Sequence, residues 1–159
     1  MPHDQAVSRA LDTARSLMGH REIVVAGVRY GDGCTDLVRA AFTEAGQPLP
    51  GATDARALLA AAKERGAARR FRPAPGDVVF LSDRPGGPPE HVGLVESVSA
   101  EGTALVLHRT EYGVLRLRVN GGSPWKLRGA SGRALNDVLV VGGGRVPAGR
   151  LLVGYATLL

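Results

Sequence analysis

A single cysteine in 159 residues excludes any internal disulfide and says little about redox compartment. Only 4% of the chain is aromatic, so platforms for stacking nucleic-acid bases are poorly supplied. No run approaches eighteen apolar residues, and MPHDQAVSR is followed by no uninterrupted hydrophobic stretch, which gives neither a membrane span nor a signal peptide. Lysine is scarce as well: Lys63 and Lys126 are two of twenty basic residues, and the other eighteen are arginine. With a net charge of +5, such a surface attracts polyanions. The arginines are scattered, however, and the nearest approach to a cluster is Arg69, Arg70 and Arg72 around Phe71, which reads as solvated basic surface and not as a nucleic-acid site.

What is present suffices for one domain over residues 1–159. At 44% hydrophobic, a chain of this length buries a continuous core without disulfides or structural metal. Ala6, Val7, Ala10, Leu11, Ala14, Leu17 and Met18 recur at helical spacing and predict an amphipathic helix over 4–18, ended near Gly19. Residues 22–29 read as a short strand or an extended lead-in with a break at Gly27. Leu37, Val38, Ala41 and Phe42 predict a second helix running to about Ala45, and Gly46 stops it. A third helix is expected from Thr53, acting as cap, to near Gly66.

Pro75-Gly76-Asp77 then turns the chain into a buried strand, Val78 to Leu81, and the segment from Ser82 to Glu90 must be loop. An antiparallel meander follows, from His91 to Val98, Thr103 to His108 and Tyr112 to Val119. Beyond Asn120 the text is glycine-rich, with strands expected over 137–141 and 151–159 that complete the sheet. No internal repeat is visible.

The chemistry gathers at YGDGCTDLVRAAF, residues 30–42. Asp32 and Gly33 form a turn signal, so Cys34 falls where the second helix begins, over free backbone N–H groups that favour thiolate. Asp36 works against that effect unless it is directed away. A free cysteine is also a common buried residue, and the inert reading stays open. The meander supplies partners. With a four-residue loop over 99–102, Val98 pairs with Thr103 and His108 falls opposite Gly93, which makes His91 and His108 diagonal neighbours on one face. A one-residue slip would separate them. Cys34 would then be the nucleophile, His91 the base and His108 the residue that orients His91. An open zinc site from the same three residues is the competing reading, although their spacing matches no compact zinc motif.

The ordered set YGDGCTDLVRAAF, PGDVVFL, HVGLVES and LVLHRT, spanning about residues 5–119, resembles the NlpC-type cell-wall cysteine peptidases and the CHAP amidase/endopeptidase domains. The resemblance implies an α+β, papain-like NlpC/CHAP fold, with the nucleophile's helix packed on an antiparallel sheet that carries the histidines. It also implies cleavage of amide bonds in peptidoglycan peptides through a thioester at Cys34, with no cofactor or metal. His91 would be the general base and His108 the orienting residue. Tyr30 and Asp32 would line the substrate site, and the Cys34 backbone N–H would serve the oxyanion. The location implied is extracytoplasmic: periplasm, cell surface or secreted. Gly33 between Asp32 and Cys34 departs from the usual NlpC order, and Cys34-Thr35 looks more like CHAP. A non-catalytic module of the same fold that binds wall or a protein partner is the reading from another class, and an acyltransferase using the same triad is a third.

Overall fold

The computed structural model describes residues 2–31, 33–49 and 54–159. Helix α1, His3–Ser16, buries the expected stripe of Ala6, Ala10, Leu11 and Ala14, and Gly19 beyond it has a φ of 78°. The lead-in to the cysteine is a tight hairpin and not one strand: β1, Val24–Val25, pairs with β2, Val28–Arg29, around Ala26 and Gly27. Both turn residues have positive φ, 50° and 78°, the twist that a two-residue hairpin turn requires. Helix α2, Asp36–Glu44, packs on α1 through Leu37, Val38, Ala41 and Phe42, all buried.

Helix α3 spans Ala55–Glu64. Its cap is Asp54, whose carboxylate accepts the Ala57 N–H at 2.8 Å. The expected cap Thr53 lies outside the described residues.

One six-stranded antiparallel sheet organises the rest. It contains β3, Ala68–Arg69; β4, Val78–Leu81; β5, His91–Val98; β6, Ala104–Thr110; and β7, Gly113–Val119. After a separate hairpin of β8, Val138–Val141, and β9, Gly144–Pro147, β10, Leu152–Ala156, inserts between β3 and β4. The C-terminal segment thus completes the sheet as expected, but from inside it. The two-residue β3 and the strand β9 went unanticipated. The architecture is α+β, with helices on one face of an antiparallel sheet.

The two faces of the sheet carry different cores. Val78, Phe80, Val92, Leu94, Leu107 and Val114 meet the helices, whereas Val79, Leu81, Val95, Val106, Leu117, Leu152 and Tyr155 form a second cluster on the other face. Strand β4 is buried on both sides, which explains its unbroken apolar run. The Asp77 carboxylate, also buried, ties its start to the Ala74 N–H, the Thr157 hydroxyl and the Arg69 guanidinium.

The β5–β6 hairpin reaches the expected pairing by a different path. Val98 stands opposite Ala104 where Thr103 was expected, and the Ser99 N–H donates to the Thr103 carbonyl, which leaves a tip of three residues, 100–102, with Gly102 at φ 83° and its N–H bonded to the Ser99 carbonyl. That is the one-residue slip. A bulge at Glu96 cancels it: below the bulge Val95 pairs with Val106 and Leu94 with Leu107, so the ladder points Gly93 at His108 again.

Glu96 is held in place electrostatically. Its carboxylate is buried and accepts Arg15 Nε at 2.6 Å and Arg116 Nε at 2.7 Å. The Arg116 hydrogen bond, reinforced by Arg15 and opposed by burial, pulls its pKa down to about 2. Because the folded-state value is depressed, the contribution is present in full above the unfolded value near 4.5 and is lost as pH falls through about 2. Urea unfolding of Glu96→Gln should show a loss on the order of 2–3 kcal/mol at neutral pH and a flatter stability profile between those two values than the parent chain. Parallel profiles would show that the carboxylate is not the source.

Candidate active site

The turn before α2 is built around Asp36, the first residue of that helix. Its carboxylate folds back to accept the Gly33 N–H at 2.5 Å and Arg39 Nη1 at 2.6 Å. A Cβ at Gly31 or Gly33 would stand 3.2 or 3.1 Å from that carboxylate, and Gly31 has a φ of 100°, so glycine at both places leaves room for the buried acid. Cys34 lies in this turn, two residues before the helix, and is half-buried.

Its thiol is seated against the strand that carries His91. Cys34 Sγ lies 3.6 Å from the Glu90 carbonyl oxygen and is also approached by the Val92 N–H. These two groups flank His91 in sequence. Strand β5 pairs with β6 up to Leu94–Leu107, and the thiol occupies the stretch of β5 beyond that point.

The two histidines meet as the register requires. His91 Nε2 and His108 Nδ1 are 2.9 Å apart, with the rings edge-on at 79° and centroids 5.2 Å apart. Gly93 makes this possible, since a Cβ there would stand 2.5 Å from Val106 Cγ1 and 3.3 Å from His108 Cβ. The imidazoles bond to one another in place of converging on a common point, and among the described residues no group of three His, Cys, Asp or Glu side chains could hold a metal ion. The zinc reading therefore finds no geometric support.

Electrostatics depart from the sequence expectation. Burial pushes the Cys34 thiol up; the Val92 N–H and the thiol's own backbone N–H pull it down, and the Asp36 and Asp54 carboxylates push it further up. The upward causes win, so position at a helix start does not make this thiol acidic. Burial lowers His91, and burial with the neighbouring His91 lowers His108 to about 4. All three shifts favour the neutral form, and the site rests as a thiol beside two neutral imidazoles.

A cavity of about 220 Å³ opens at the thiol, lined by Cys34, Asp54, Arg56, Pro89 and Glu90. Arg56 and Glu90 form an ion pair of 2.6 Å at its rim. Sequence reasoning missed Asp54, Arg56 and Glu90, which have no motif and reach the thiol only through the packing of α3 against the 82–90 loop. Tyr30 is not in this lining: half-buried, it lies beneath the Arg39 guanidinium, 5.7 Å from its ring centre. Asp32 lies outside the described residues.

The CHAP domain family matches residues 23–110, a span that contains Cys34, His91 and His108. Among solved structures the chain is similar to Ly7917, at 16% identity and a TM-score of 0.54 over 96% of this chain and 62% of that one. The same values hold for Ly7917 with the hydrolyzing product of MDP. It is also similar to a protein of the NLP/P60 family, described as similar to lipoprotein, from Staphylococcus aureus subsp. aureus Mu50, at 15% identity and a TM-score of 0.54 over 99% of this chain and 43% of that one. The chain therefore spans less than two thirds of each. These likenesses show the fold. No curated protein matches the sequence.

Iodoacetamide alkylation of Cys34, followed by intact mass against pH, should rise with a midpoint above that of an ordinary thiol near 8.5. Asp54→Asn keeps the helix cap but removes one of the charges opposing ionisation, so it should move the midpoint down. A midpoint below pH 8 in the parent chain would contradict the dominance of burial.

Proposed function

The chain belongs to the CHAP domain family, and on that premise we propose that it is a cysteine hydrolase that cleaves amide bonds in the peptide part of peptidoglycan. The observation that carries this reading is the His91–His108 hydrogen bond of 2.9 Å beside a thiol seated on the backbone either side of His91. Either ring can donate in this bond; in the proposed mechanism His91 Nε2 donates and His108 Nδ1 accepts, a role open to His108 because it is neutral down to about pH 4. That tautomer leaves His91 Nδ1 unprotonated, and among the described residues it has no other partner. The free nitrogen is the one that a general base needs.

The reaction then runs as two displacements. His91 Nδ1 takes the Cys34 proton as sulfur bonds to the amide carbonyl carbon, and the Cys34 backbone N–H, which already points at its own sulfur, receives the developing oxyanion. The imidazolium returns the proton to the amine nitrogen as the C–N bond breaks, leaving a thioester. Water attacks that carbonyl and gives one proton to His91. The C–S bond breaks, the acid leaves, and His91 reprotonates the sulfur. His108 touches no reacting atom; it positions His91 and stabilises its charged form. The ion-paired cavity beside the thiol, with Arg56, Glu90 and Asp54, suits a substrate that bears both amino and carboxylate groups. In this proposal Tyr30 and Asp32 also contribute to the substrate site.

A neighbour of the same fold was solved with the hydrolyzing product of MDP, which agrees with a wall-derived substrate. Peptidoglycan as substrate places the action outside the cytoplasm. Among the described residues no helix is long and apolar enough to cross a membrane. The raised thiol, bonded to a carbonyl in place of His91, favours the second reading, a non-catalytic wall-binding module of the same fold.

Release of new amino groups from purified peptidoglycan separates the two. Cys34→Ala should abolish it with an unchanged melting temperature, and His91→Ala should lower kcat/KM by about 10³ or more. His108→Ala should cost less, about 10–100-fold, as expected of a residue acting through another. Because His91 is shifted down, the acid limb of kcat/KM should lie below the ordinary histidine value of about 6.5. Release that persists undiminished in Cys34→Ala, or is absent in the parent chain, would overturn the catalytic reading.

A further inference from the structure

The arginine cluster around Phe71 has no part in the proposed reaction, yet it lies beside an unusual surface. Trp125, the only tryptophan in the chain, is 68% exposed, and Phe71 is 53% exposed. Both line an open groove of about 180 Å³ together with Arg70, Arg150 and Leu152. A second hollow of about 260 Å³ continues from Phe71 and Leu152 past Arg72 to Glu101. Exposed aromatic rings that border one concavity are a recognition feature more often than an accident.

The loop presenting Trp125 is rigidly built. Asn120 and Asn136, both 3% exposed, brace it: Asn120 Oδ1 accepts the Ser123 N–H at 2.9 Å, and Asn136 Nδ2 donates to the Ser123 and Lys126 carbonyls at 2.9 Å each. Gly149 and Gly121 lack side chains where a Cβ would strike the Asn120 carbonyl and Leu152. Buried amides with satisfied partners fix a backbone whose outermost side chain is left in solvent. Arg150 then covers one face of the indole, its guanidinium carbon 3.5 Å from the ring centre.

Charge and shape narrow the occupant. Among the described residues Arg70, Arg72 and Arg150 have no carboxylate partner, while Glu101 is the single acid lining the two hollows. Arg72 stands at φ 63° in a turn that Arg69 holds, its Nε and Nη2 donating to the Arg72 carbonyl at 3.1 and 2.9 Å. Flat apolar faces edged by guanidinium forks match a sugar ring, which is apolar on one face, polar at the rim, and here anionic as well. Two aromatic rings are too few for a run of stacked bases.

The position links this groove to the candidate centre. Leu152 in its floor stands opposite Leu81, and Leu81 opposite His91, so groove and imidazole pair share one face of the sheet two strands, roughly 10 Å, apart. We propose that the Trp125–Phe71 groove binds wall glycan, whose lactyl carboxylates are free wherever the stem peptide has been removed. A sugar would stack on Trp125 and Phe71, a free carboxylate would meet Arg150 or Arg72, and wall bearing such stretches would be tethered on the face of the sheet that carries His91. This inference rests on the peptidoglycan reading for the tethering role, but not for binding.

Because Trp125 is the sole tryptophan, its fluorescence reports the groove directly. The probe is soluble, peptide-free wall glycan titrated into the full chain, with neutral chitooligosaccharide and single-stranded DNA as comparison ligands. Saturable change with wall glycan is expected, about tenfold or more weaker in Phe71→Ala and Arg150→Gln, and unaltered in Cys34→Ala. The same two variants should raise apparent KM on insoluble peptidoglycan while leaving turnover of a soluble wall peptide unchanged. No saturable change, equal response in the variants, or response to DNA alone would overturn the proposal. If no hydrolysis occurs at all, the fluorescence still decides the binding claim separately.

Discussion

Everything that makes a site here depends on the bulge at Glu96. The β5–β6 hairpin closes with Val98 opposite Ala104, and in an unbroken ladder that register would send the side chain of His108 to the face opposite His91. One extra residue on β5 restores the phase before the strand reaches Gly93. An extra residue in a strand needs a reason to stay, and the buried carboxylate of Glu96 provides it, bridging Arg15 on α1 and Arg116 on β7. An ion triad some distance from the thiol thereby sets which face the second imidazole occupies. Losing one partner would leave a charge buried on the helix side of the sheet, which costs more than the surface pairs elsewhere contribute.

The chemistry of the thiol follows from burial winning over dipole. Helix α2 begins at Asp36, whose carboxylate is held by the Gly33 N–H ahead of the helix and by the Arg39 guanidinium. The negative charge that anchors the turn is the same charge that opposes ionisation of Cys34. Stability of the turn and acidity of the thiol are thus in tension. A site so arranged leaves proton transfer to the moment when substrate fills the cavity and the imidazole is engaged, and His91 stays neutral and available because burial lowers it too.

Much of this was legible in the sequence because the signals are local. Helical spacing marked α1 and α2, Pro75-Gly76-Asp77 announced β4, and the cysteine turn showed itself through its glycines. The diagonal placement of His91 and His108 was also read correctly, but for an incomplete reason: the loop was taken one residue too long, and the unseen bulge compensated. Nothing in ESVSAEGT distinguishes a four-residue loop without a bulge from a three-residue loop with one, since the bulge is set by Arg15 and Arg116 far away in sequence. The balance at Cys34, left open between a helix start that favours thiolate and burial with Asp36 that oppose it, is decided by burial and the approach of Asp54, which come from tertiary packing. Strand β10 was recognised as a strand, but its insertion between β3 and β4 is a long-range pairing that no local pattern encodes.

The C-terminal forty residues show why that insertion matters. With β10 inserted between β3 and β4, the sheet has a second apolar face to cover, and the loop from Asn120, the 3-10 turn Ala148–Leu151 and the β8–β9 hairpin follow β7 as its cover. Covering a face from one end leaves an edge, and at that edge Leu152 and Tyr155 are bordered by Phe71, Trp125 and three arginines. Completing the sheet from within therefore produces two consequences together: a rigid frame for the strand that carries His91, and a basic, aromatic margin on the same face, reached across β4 by two cross-strand steps.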